Sequence, residues 1–228
     1  MELLEAIKSR KSVRAFKPEP VPTETIKKVL EISTRAPSSV NSQPWEFFIV
    51  KGEKLDELRS TGVELFRQGI GPGPDVPLPG KTAMDMGLTG VYKKRQVILG
   101  VTMFKLLGIA KGDKEAALNY TAEMYRYFDA PAVIIIVIDK VLELLSYPLI
   151  DIGALIQTIA LTAQEYDLGT CIMRAIVDYP EQVRKIVGVP ESKHIVIGMT
   201  IGYPDWDHVI NSFQSERDEL EGLLTVVE

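Results

Sequence analysis

The alternation of apolar and polar positions divides the chain into short helices and strands. Over 23–34, Ile26, Val29 and Leu30 recur at helical spacing, and Thr23 suits the N-cap position. Further helices are predicted over 2–9, 53–66, 84–107, 113–128 and 180–187. Strands are predicted over 45–50, 133–138 and 195–201, and through Cys171. This combination of elements predicts an α+β fold.

The helix predicted over 151–167 is apolar over more than one face. Its apolar residues include Ile152, Leu155, Ile156, Ile159 and Leu161. A helix of this kind lies either in the centre of a large core or against a second subunit.

The last part of the chain, residues 205–228, shows no pattern of a core of its own. It nevertheless carries Phe213, Leu220, Leu223 and Leu224. An apolar arm of this kind needs a surface to lie on, and a partner subunit is the simplest one. The arm and the apolar helix together predict a homodimer.

Composition narrows the class of protein. The chain has 228 residues, of which 46% are hydrophobic and 25% charged, which is enough for one globular domain. The net charge of −5 argues against a nucleic-acid partner, because no basic stripe accompanies it. One cysteine and two histidines make a cysteine zinc cluster or a histidine-rich metal site improbable, so no metal is expected.

The chain shows no pattern of secretion or membrane insertion. Its first five residues are acidic and amphipathic, unlike a secretory signal. The longest apolar stretches, 97–110 and 131–138, are too short to cross a bilayer. We therefore expect a cytoplasmic protein with no membrane partner.

Two short segments carry most of the chemistry. Residues 9–16 place Arg10, Lys11, Ser12 and Arg14 within five positions, a set of donors suited to a phosphate. Residues 36–45 hold a run of small hydroxyl and amide side chains that can line a flat polar ligand. Taken singly, the first segment also fits a solvated helix end and the second an ordinary loop.

Together the two segments resemble the flavin-binding segments of the nitroreductase family, dimeric enzymes that hold FMN. The resemblance continues through residues 151–153, 168–171, 197–205 and 211–217. The insert at 71–128 is most similar to the nitrobenzoate-type branch of that family. Iodotyrosine deiodinases are similar in the same places.

The resemblance implies a mixed central sheet flanked by helices, in an intertwined homodimer that exchanges C-terminal arms. Residues 1–228 would form a single FMN-binding domain. Within it, 71–128 would be a helical insert or lid, and 205–228 the exchanged arm.

The resemblance also implies a set of cofactor-binding residues. Arg10, Lys11 and Ser12 would hold the phosphate and ribityl chain of FMN, and Arg14 would approach the pyrimidine edge of the flavin. Arg217 of the arm would be a further phosphate donor. The remaining residues of the set are Ser38, Ser39 and Asn41, from either subunit, and the backbone groups of Ile172, Met173 and Arg174.

Four side chains have alternative interpretations. Arg174 either adds positive charge beside the reacting edge of the flavin or pairs with Asp178 or Glu181. Tyr125 and Phe128 either contact a flat substrate or belong to the core of an amphipathic helix. Cys171 is either a nucleophile or, as is typical of a cysteine on an apolar strand, an inert part of the core.

The activity implied is that of an FMN-dependent NAD(P)H oxidoreductase. NADH or NADPH would reduce the flavin, and a nitroaromatic, quinone or similar flat electrophile would then accept the electrons in a ping-pong scheme. No catalytic side chain is expected, because the cofactor carries the chemistry. The alternatives are reductive dehalogenation of halophenols and a non-catalytic flavin-binding or flavin-consuming protein.

Overall fold

In a computed structural model, residues 2–77, 87–143 and 146–228 are described, and they form helices packed on both faces of a sheet. The helices are α1 Leu3–Ser9, α2 Thr23–Ser33, α3 Gly52–Arg67, α4 Gly90–Leu106, α5 Lys114–Tyr125, α6 Ser146–Gln164 and α7 Pro180–Val187. The strands are β1 Trp45–Lys51, β2 Ala132–Asp139, β3 Gly169–Met173 and β4 Lys193–Gly202. The expected α+β class is confirmed.

The helix boundaries differ from the predicted ones in several places; α4, for example, begins only at Gly90, and α6 ends at Gln164 rather than at residue 167. Thr23 is the first helical residue of α2, because Pro22 occupies the N-cap position. The apolar helix begins five residues early, at Ser146. The helix predicted over 113–128 ends at Tyr125, since residues 127–129 take left-handed backbone angles. Residues 84–86 of the helix predicted over 84–107 lie outside the described residues.

The sheet has the strand order β1-β2-β4-β3, and each neighbouring pair is antiparallel. The sheet was expected to be mixed. Across the described ranges, parallel pairing is confined to one bridge between Ser12 and Thr170. The segment after α1 therefore contributes a single parallel contact beside the edge strand β3.

Two apolar layers cover the sheet, and β2 supplies both of them. Ile134 and Ile136 point to the layer that contains α2 and α6. Ile135 and Val137 point to the opposite layer, with side chains from α3, α5 and α7. Because both faces are covered, β2 is apolar at consecutive positions rather than at alternate ones.

Helix α6 buries one face and leaves another exposed in the single chain. Leu155 and Ile159 are buried against the sheet, while Tyr147 and Ile150 are 66% and 63% exposed. By length and composition alone α6 could cross a membrane, but core helices of soluble proteins pass the same test. The exposed apolar face is the feature that a second subunit would cover.

Asp75 attaches the first part of the insert to the end of the sheet. Its carboxylate accepts hydrogen bonds from the Arg184 guanidinium, at 2.5 and 3.3 Å, and from the Ile195 N–H at 2.7 Å. The Gly73 N–H donates to the Asp178 carbonyl at 2.9 Å. Residues 73–75 are therefore held against α7, Asp178 just before it and β4, whereas residues 78–86 of the predicted lid lie outside the described residues.

We expect Asp75→Asn to lower the free energy of unfolding by about 2–3 kcal/mol, because Arg184 loses its charged partner. Burial raises the pKa of Asp75, but the Arg184 and Ile195 hydrogen bonds outweigh it and lower the pKa below its ordinary value. The stabilisation is therefore present above the ordinary pKa and is lost as the pH falls through the folded value.

Urea unfolding of the wild type and Asp75→Asn at pH 7 and below pH 4 measures this difference. The gap between them should narrow on acidification. Glu191→Gln is the control, since that carboxylate is 85% exposed and 3.6 Å from Arg184 Nε. A control as destabilising as Asp75→Asn would contradict the assignment.

Candidate functional site

The basic segment, residues 10–14, follows α1 and lies along the outer edge of β3. The Val13 N–H donates to the Thr170 carbonyl at 2.9 Å, beside the Ser12–Thr170 bridge. A Cβ on Gly169 would stand 2.5 Å from the Val13 side chain, so only glycine permits this approach. The fold therefore places the basic segment, the densest group of donor side chains noted in the sequence, along the outer edge of β3.

Arg10, Lys11, Ser12 and Arg14 of the basic segment are half-buried. Arg14 donates to the Ser12 carbonyl at 3.3 Å, and the Lys11 ammonium lies 5.0 Å from the centre of the Trp206 ring. A cavity of about 40 Å³ is lined by Arg10, Lys11, Gly169 and Trp206 among others. These donors suit an anion that enters from the sheet edge.

Gln164, the last residue of α6, joins α6 to α1. Its amide nitrogen donates to the Ala6 carbonyl at 3.0 Å, and its amide oxygen accepts from the Ser9 hydroxyl at 3.0 Å. The Ala6 carbonyl, in the last turn of α1, also accepts from the Arg10 N–H at 3.0 Å, so Gln164 bonds the carbonyl that ends the helix at the basic segment. Gln164 thus fixes the direction in which the chain enters the basic segment.

Asn211 of the arm is the second residue that positions the basic segment, and sequence analysis did not single it out. It is 1% exposed. Its side-chain oxygen accepts from the Arg14 N–H, and its nitrogen donates to the carbonyls of Ala15 and Asp205, each at 2.8 Å. The start of the arm therefore packs on the basic segment of its own chain.

The outer edge of β3 presents backbone groups next to the basic segment. Because the Thr170 carbonyl points outward to Val13, the N–H and carbonyl of Ile172 point to the same side. Ile172 is 39% exposed, although β3 is otherwise buried. The predicted residues Ile172–Arg174 thus lie further along the edge that the basic segment occupies.

The Arg174 side chain makes an ion pair with Asp178, which is one of the two alternatives predicted. The Tyr125 hydroxyl donates to the same carboxylate at 2.9 Å. Burial raises the pKa of Asp178, while the Arg174 charge and these hydrogen bonds oppose that rise.

Tyr125 and Phe128 both lie in the core. Tyr125 is 1% exposed and stacks on Phe66 and Tyr179, with ring centres 5.0 and 5.7 Å apart. Phe128 is 9% exposed and packs against Tyr120. The structure therefore places both side chains as the core alternative describes, rather than open to a substrate.

Cys171 is buried beside the basic segment. Burial raises the pKa of its thiol, and the nearby Arg14, Ser12 and Arg10 side chains only oppose that rise. A buried thiol with a raised pKa is a poor nucleophile, in line with the inert role expected.

The loop 38–43 is fixed by Asp151 of α6. The Ser39 N–H lies 3.1 and 3.2 Å from the two carboxylate oxygens of Asp151, which is itself buried. Val40, Asn41 and Gln43 take φ values of 48°, 59° and 46°, a left-handed region that side chains rarely adopt. Val40 is 96% exposed, so packing within the chain does not offset the strain of its backbone conformation.

The structure does not bring the loop 38–43 to the basic segment. The loop leads into β1 at one edge of the sheet, and the basic segment flanks β3 at the other edge. Three inter-strand spacings separate the two edges by about 14 Å. Asp151 and Gln164, which contact the loop and the end of α1, are about 20 Å apart along α6.

Arg217 makes its hydrogen bonds within the arm. Its guanidinium donates to the hydroxyl of Ser215, at 2.7 Å, and to the carbonyls of Ser215 and Glu216. Closer to the basic segment, Gln214 donates to the Lys8 carbonyl at 2.8 Å. The arm therefore passes the end of α1, but none of the hydrogen bonds that the described structure gives Arg217 is to residues 10–14.

Another surface groove among the described residues lies away from the edge of β3. This groove of about 690 Å³ is open, runs along α3 and is lined mostly by charged side chains. In the part of the chain that the structure describes, no group of three or more metal-ligating side chains converges.

Comparison with known proteins gives one consistent result. The Nitroreductase family model matches residues 7–203. A 4-nitrobenzoate reductase of Nocardioides sp. (strain LMS-CY) is 31% identical over 229 residues, which cover 96% of this chain and 87% of that protein. An iodotyrosine deiodinase of Thermotoga neapolitana is 47% identical over 53 residues, 23% of this chain and 28% of that protein.

Solved structures share the whole fold. The FMN-dependent nitroreductase NfnB from Mycobacterium smegmatis, solved in complex with NADPH, superimposes with a TM-score of 0.89 and 27% identity. The match covers 99% of this chain and 97% of that chain. The resemblances drawn from the sequence motifs are confirmed, the one to deiodinases over a short stretch only.

Proposed function

The chain belongs to the nitroreductase family, and on that premise we propose that it is an FMN-dependent oxidoreductase. It takes electrons from NADH or NADPH and passes them, in a ping-pong scheme, to a small flat acceptor such as a nitroaromatic or a quinone. The observation that carries this proposal is the basic segment lying along an open strand edge, with backbone groups exposed beyond it.

The residues at this edge fit FMN. Arg10 and Lys11 line a small cavity with cationic donors, and the Ser12 hydroxyl follows them in the same segment, a set that suits a phosphate at the end of a flexible chain. The outward backbone groups of Ile172 lie further along the strand and can bond a flat ring edge-on. A cofactor with an anionic end and a polar planar ring matches both features.

Each part of the site has a separate task. Arg10, Lys11 and Ser12 hold the phosphate and the ribityl chain, while Arg14 supports negative charge at the pyrimidine edge of the ring. Asn211 and Gln164 fix the backbone from which these donors extend. Bound FMN supplies the electron-transfer chemistry, so the chain contributes binding, orientation and charge.

We infer that the active protein is a homodimer in which the partner subunit completes the site. Within one chain the loop with Ser38, Ser39 and Asn41 lies at the opposite edge of the sheet from Arg10, and helices cover both faces of the sheet between them. The exposed face of α6 offers the surface on which a second copy would pack. A partner that covers this face brings its own loop to the first chain's edge of β3, and the Arg217 arm reaches across in the same assembly.

A flavin titration tests the proposal. Purified protein reconstituted with FMN should be yellow, should bleach with NADH or NADPH under anaerobic conditions, and should regain colour with 4-nitrobenzoate or a quinone. Reoxidation by a halophenol instead would favour the dehalogenase alternative. A bound flavin that neither nicotinamide reduces would contradict the proposed activity and favour a flavin-binding protein.

A further inference from the structure

Trp206 lies on the loop that follows β4, next to the basic segment. Its ring lines the same cavity as Arg10 and Lys11. It is 59% exposed and belongs to neither of the two apolar layers described for the sheet. This ring is therefore not part of the core, and its described contact is with the basic segment.

The loop that carries this ring is attached through its backbone to the chain that leaves the basic segment. Residues 203–205 meet residues 15–17 in an antiparallel bridge, with hydrogen bonds of 2.8 and 3.0 Å. The Asn211 amide joins the two stretches, because it donates to the Ala15 and Asp205 carbonyls at 2.8 Å each. The fold therefore fixes the base of the loop beside the donors.

The Trp206 ring lies under the Lys11 ammonium, whose nitrogen is 5.0 Å from the centre of the ring. At this distance the negative face of the indole attracts a cation. None of the ion pairs between described residues includes Lys11. The ring thus holds the ammonium without neutralising its charge, as a carboxylate in the same place would do.

An ammonium that is already held in place binds an anion better than a mobile one. Lysine carries its ammonium on a flexible four-carbon stem, and much of the rotamer freedom of that stem is lost when the ammonium binds a ligand. The indole contact removes part of that freedom before the ligand arrives, so less is lost on binding. The N–H donors of the ammonium that are turned away from the ring remain for an anion in the cavity.

We propose that Trp206 is a positioning residue for the cofactor phosphate: its ring holds the Lys11 ammonium at the cavity beside Arg10 and leaves the positive charge for the anion. This rests on the proposed function, because the anion that the ammonium serves is the phosphate of FMN. The contribution of Trp206 is confined to the phosphate end of the cofactor, so a flavin without a phosphate does not depend on it.

The test compares FMN with riboflavin, which carries the same ring system without the phosphate. In the full-length protein freed of flavin, Trp206→Leu should raise the dissociation constant for FMN by about two- to fivefold. The dissociation constant for riboflavin should not change. Trp206→Phe keeps an aromatic face and should recover most of the affinity for FMN, a rescue that a merely space-filling role would not require.

A double-mutant cycle assigns the effect to Lys11. Lys11→Met removes the ammonium and keeps most of the stem, and in that background Trp206→Leu should weaken FMN binding no further. Lys8→Met is the matched control, because Lys8 is exposed at the end of α1 and its removal leaves the contact intact. In the Lys8→Met background Trp206→Leu should keep its full effect.

NMR spectra of protein with ¹³C-labelled lysine measure the contact without any flavin. The ε-methylene of Lys11 adjoins the ammonium, so the ring current of the indole should move its proton resonance upfield of those of exposed lysines. The resonance is identified by its loss in Lys11→Met. In Trp206→Leu it should return to the position of the other lysines.

A Lys11 resonance that does not move in Trp206→Leu would overturn the contact. An unchanged dissociation constant for FMN, an equal loss of FMN and riboflavin affinity, or a full effect in the Lys11→Met background would overturn the positioning role. A flavin that binds the wild type but that no nicotinamide reduces would overturn the proposed oxidoreductase, while the binding measurements still decide the role of Trp206. A wild-type protein that binds no FMN would overturn both proposals.

Discussion

Arg10→Ala should lose most of its bound FMN while keeping its fold. The Arg10 side chain is half-buried at the cavity beside β3, and a charge-assisted hydrogen bond to phosphate contributes roughly 1.5–3 kcal/mol. Losing that much binding free energy raises the dissociation constant for FMN by about 10- to 150-fold. FMN retained after desalting, and the dissociation constant from flavin fluorescence, measure the loss.

Lys8→Ala is the matched control, because Lys8 carries the same charge two residues earlier but is exposed at the end of α1. It should keep wild-type FMN content. The far-ultraviolet circular dichroism of both variants should match the wild type. Equal FMN occupancy in Arg10→Ala and the wild type would remove Arg10 from the site.

Ile150→Asp should separate the dimer into single chains and release FMN. Ile150 lies on the exposed face of α6, 63% accessible in one chain, and a carboxylate buried there on association has no partner. An uncompensated buried charge costs about 3–5 kcal/mol, which weakens association by at least about 100-fold. Sedimentation velocity at micromolar concentration, recorded with flavin absorbance, follows mass and occupancy together.

Leu118→Asp places the same charge at another exposed apolar position, 54% accessible on α5. It should remain a flavin-loaded dimer. A wild-type protein that sediments as a stable, flavin-loaded single chain would contradict the homodimer. An Ile150→Asp protein that stays dimeric would move the interface away from α6.

Much of the fold follows from local pattern. The strand over 133–138 and the helix over 180–187 match β2 and α7 closely, because hydrophobic period and flanking proline or glycine act within a few residues. The predicted end of α5 was wrong by three residues. Tyr127, Phe128 and Asp129 carry no turn signal, and the carbonyls on either side of them accept hydrogen bonds from Arg59, which lies far away in sequence.

The sequence was enough to predict the donor side chains of the candidate site, but not the side chains that position them. Arg10, Lys11, Ser12 and Arg14 stand together in the sequence, so their joint chemistry is visible there. Asn211 and Gln164 are ordinary amides in sequence. Their role appears only when the fold places Asn211 on the Arg14 backbone and Gln164 on α1.

The sequence by itself determined the class of fold, the order of most elements and the clustering of anion donors in residues 10–14, since each depends on neighbouring residues. The tertiary structure pairs Arg174 with Asp178, buries Tyr125 in the core and places the loop 38–43 across the sheet from Arg10. Those outcomes depend on strand order and on contacts between distant residues. Burial, ion pairing and separation across a sheet are properties of the packed chain, so no local pattern encodes them.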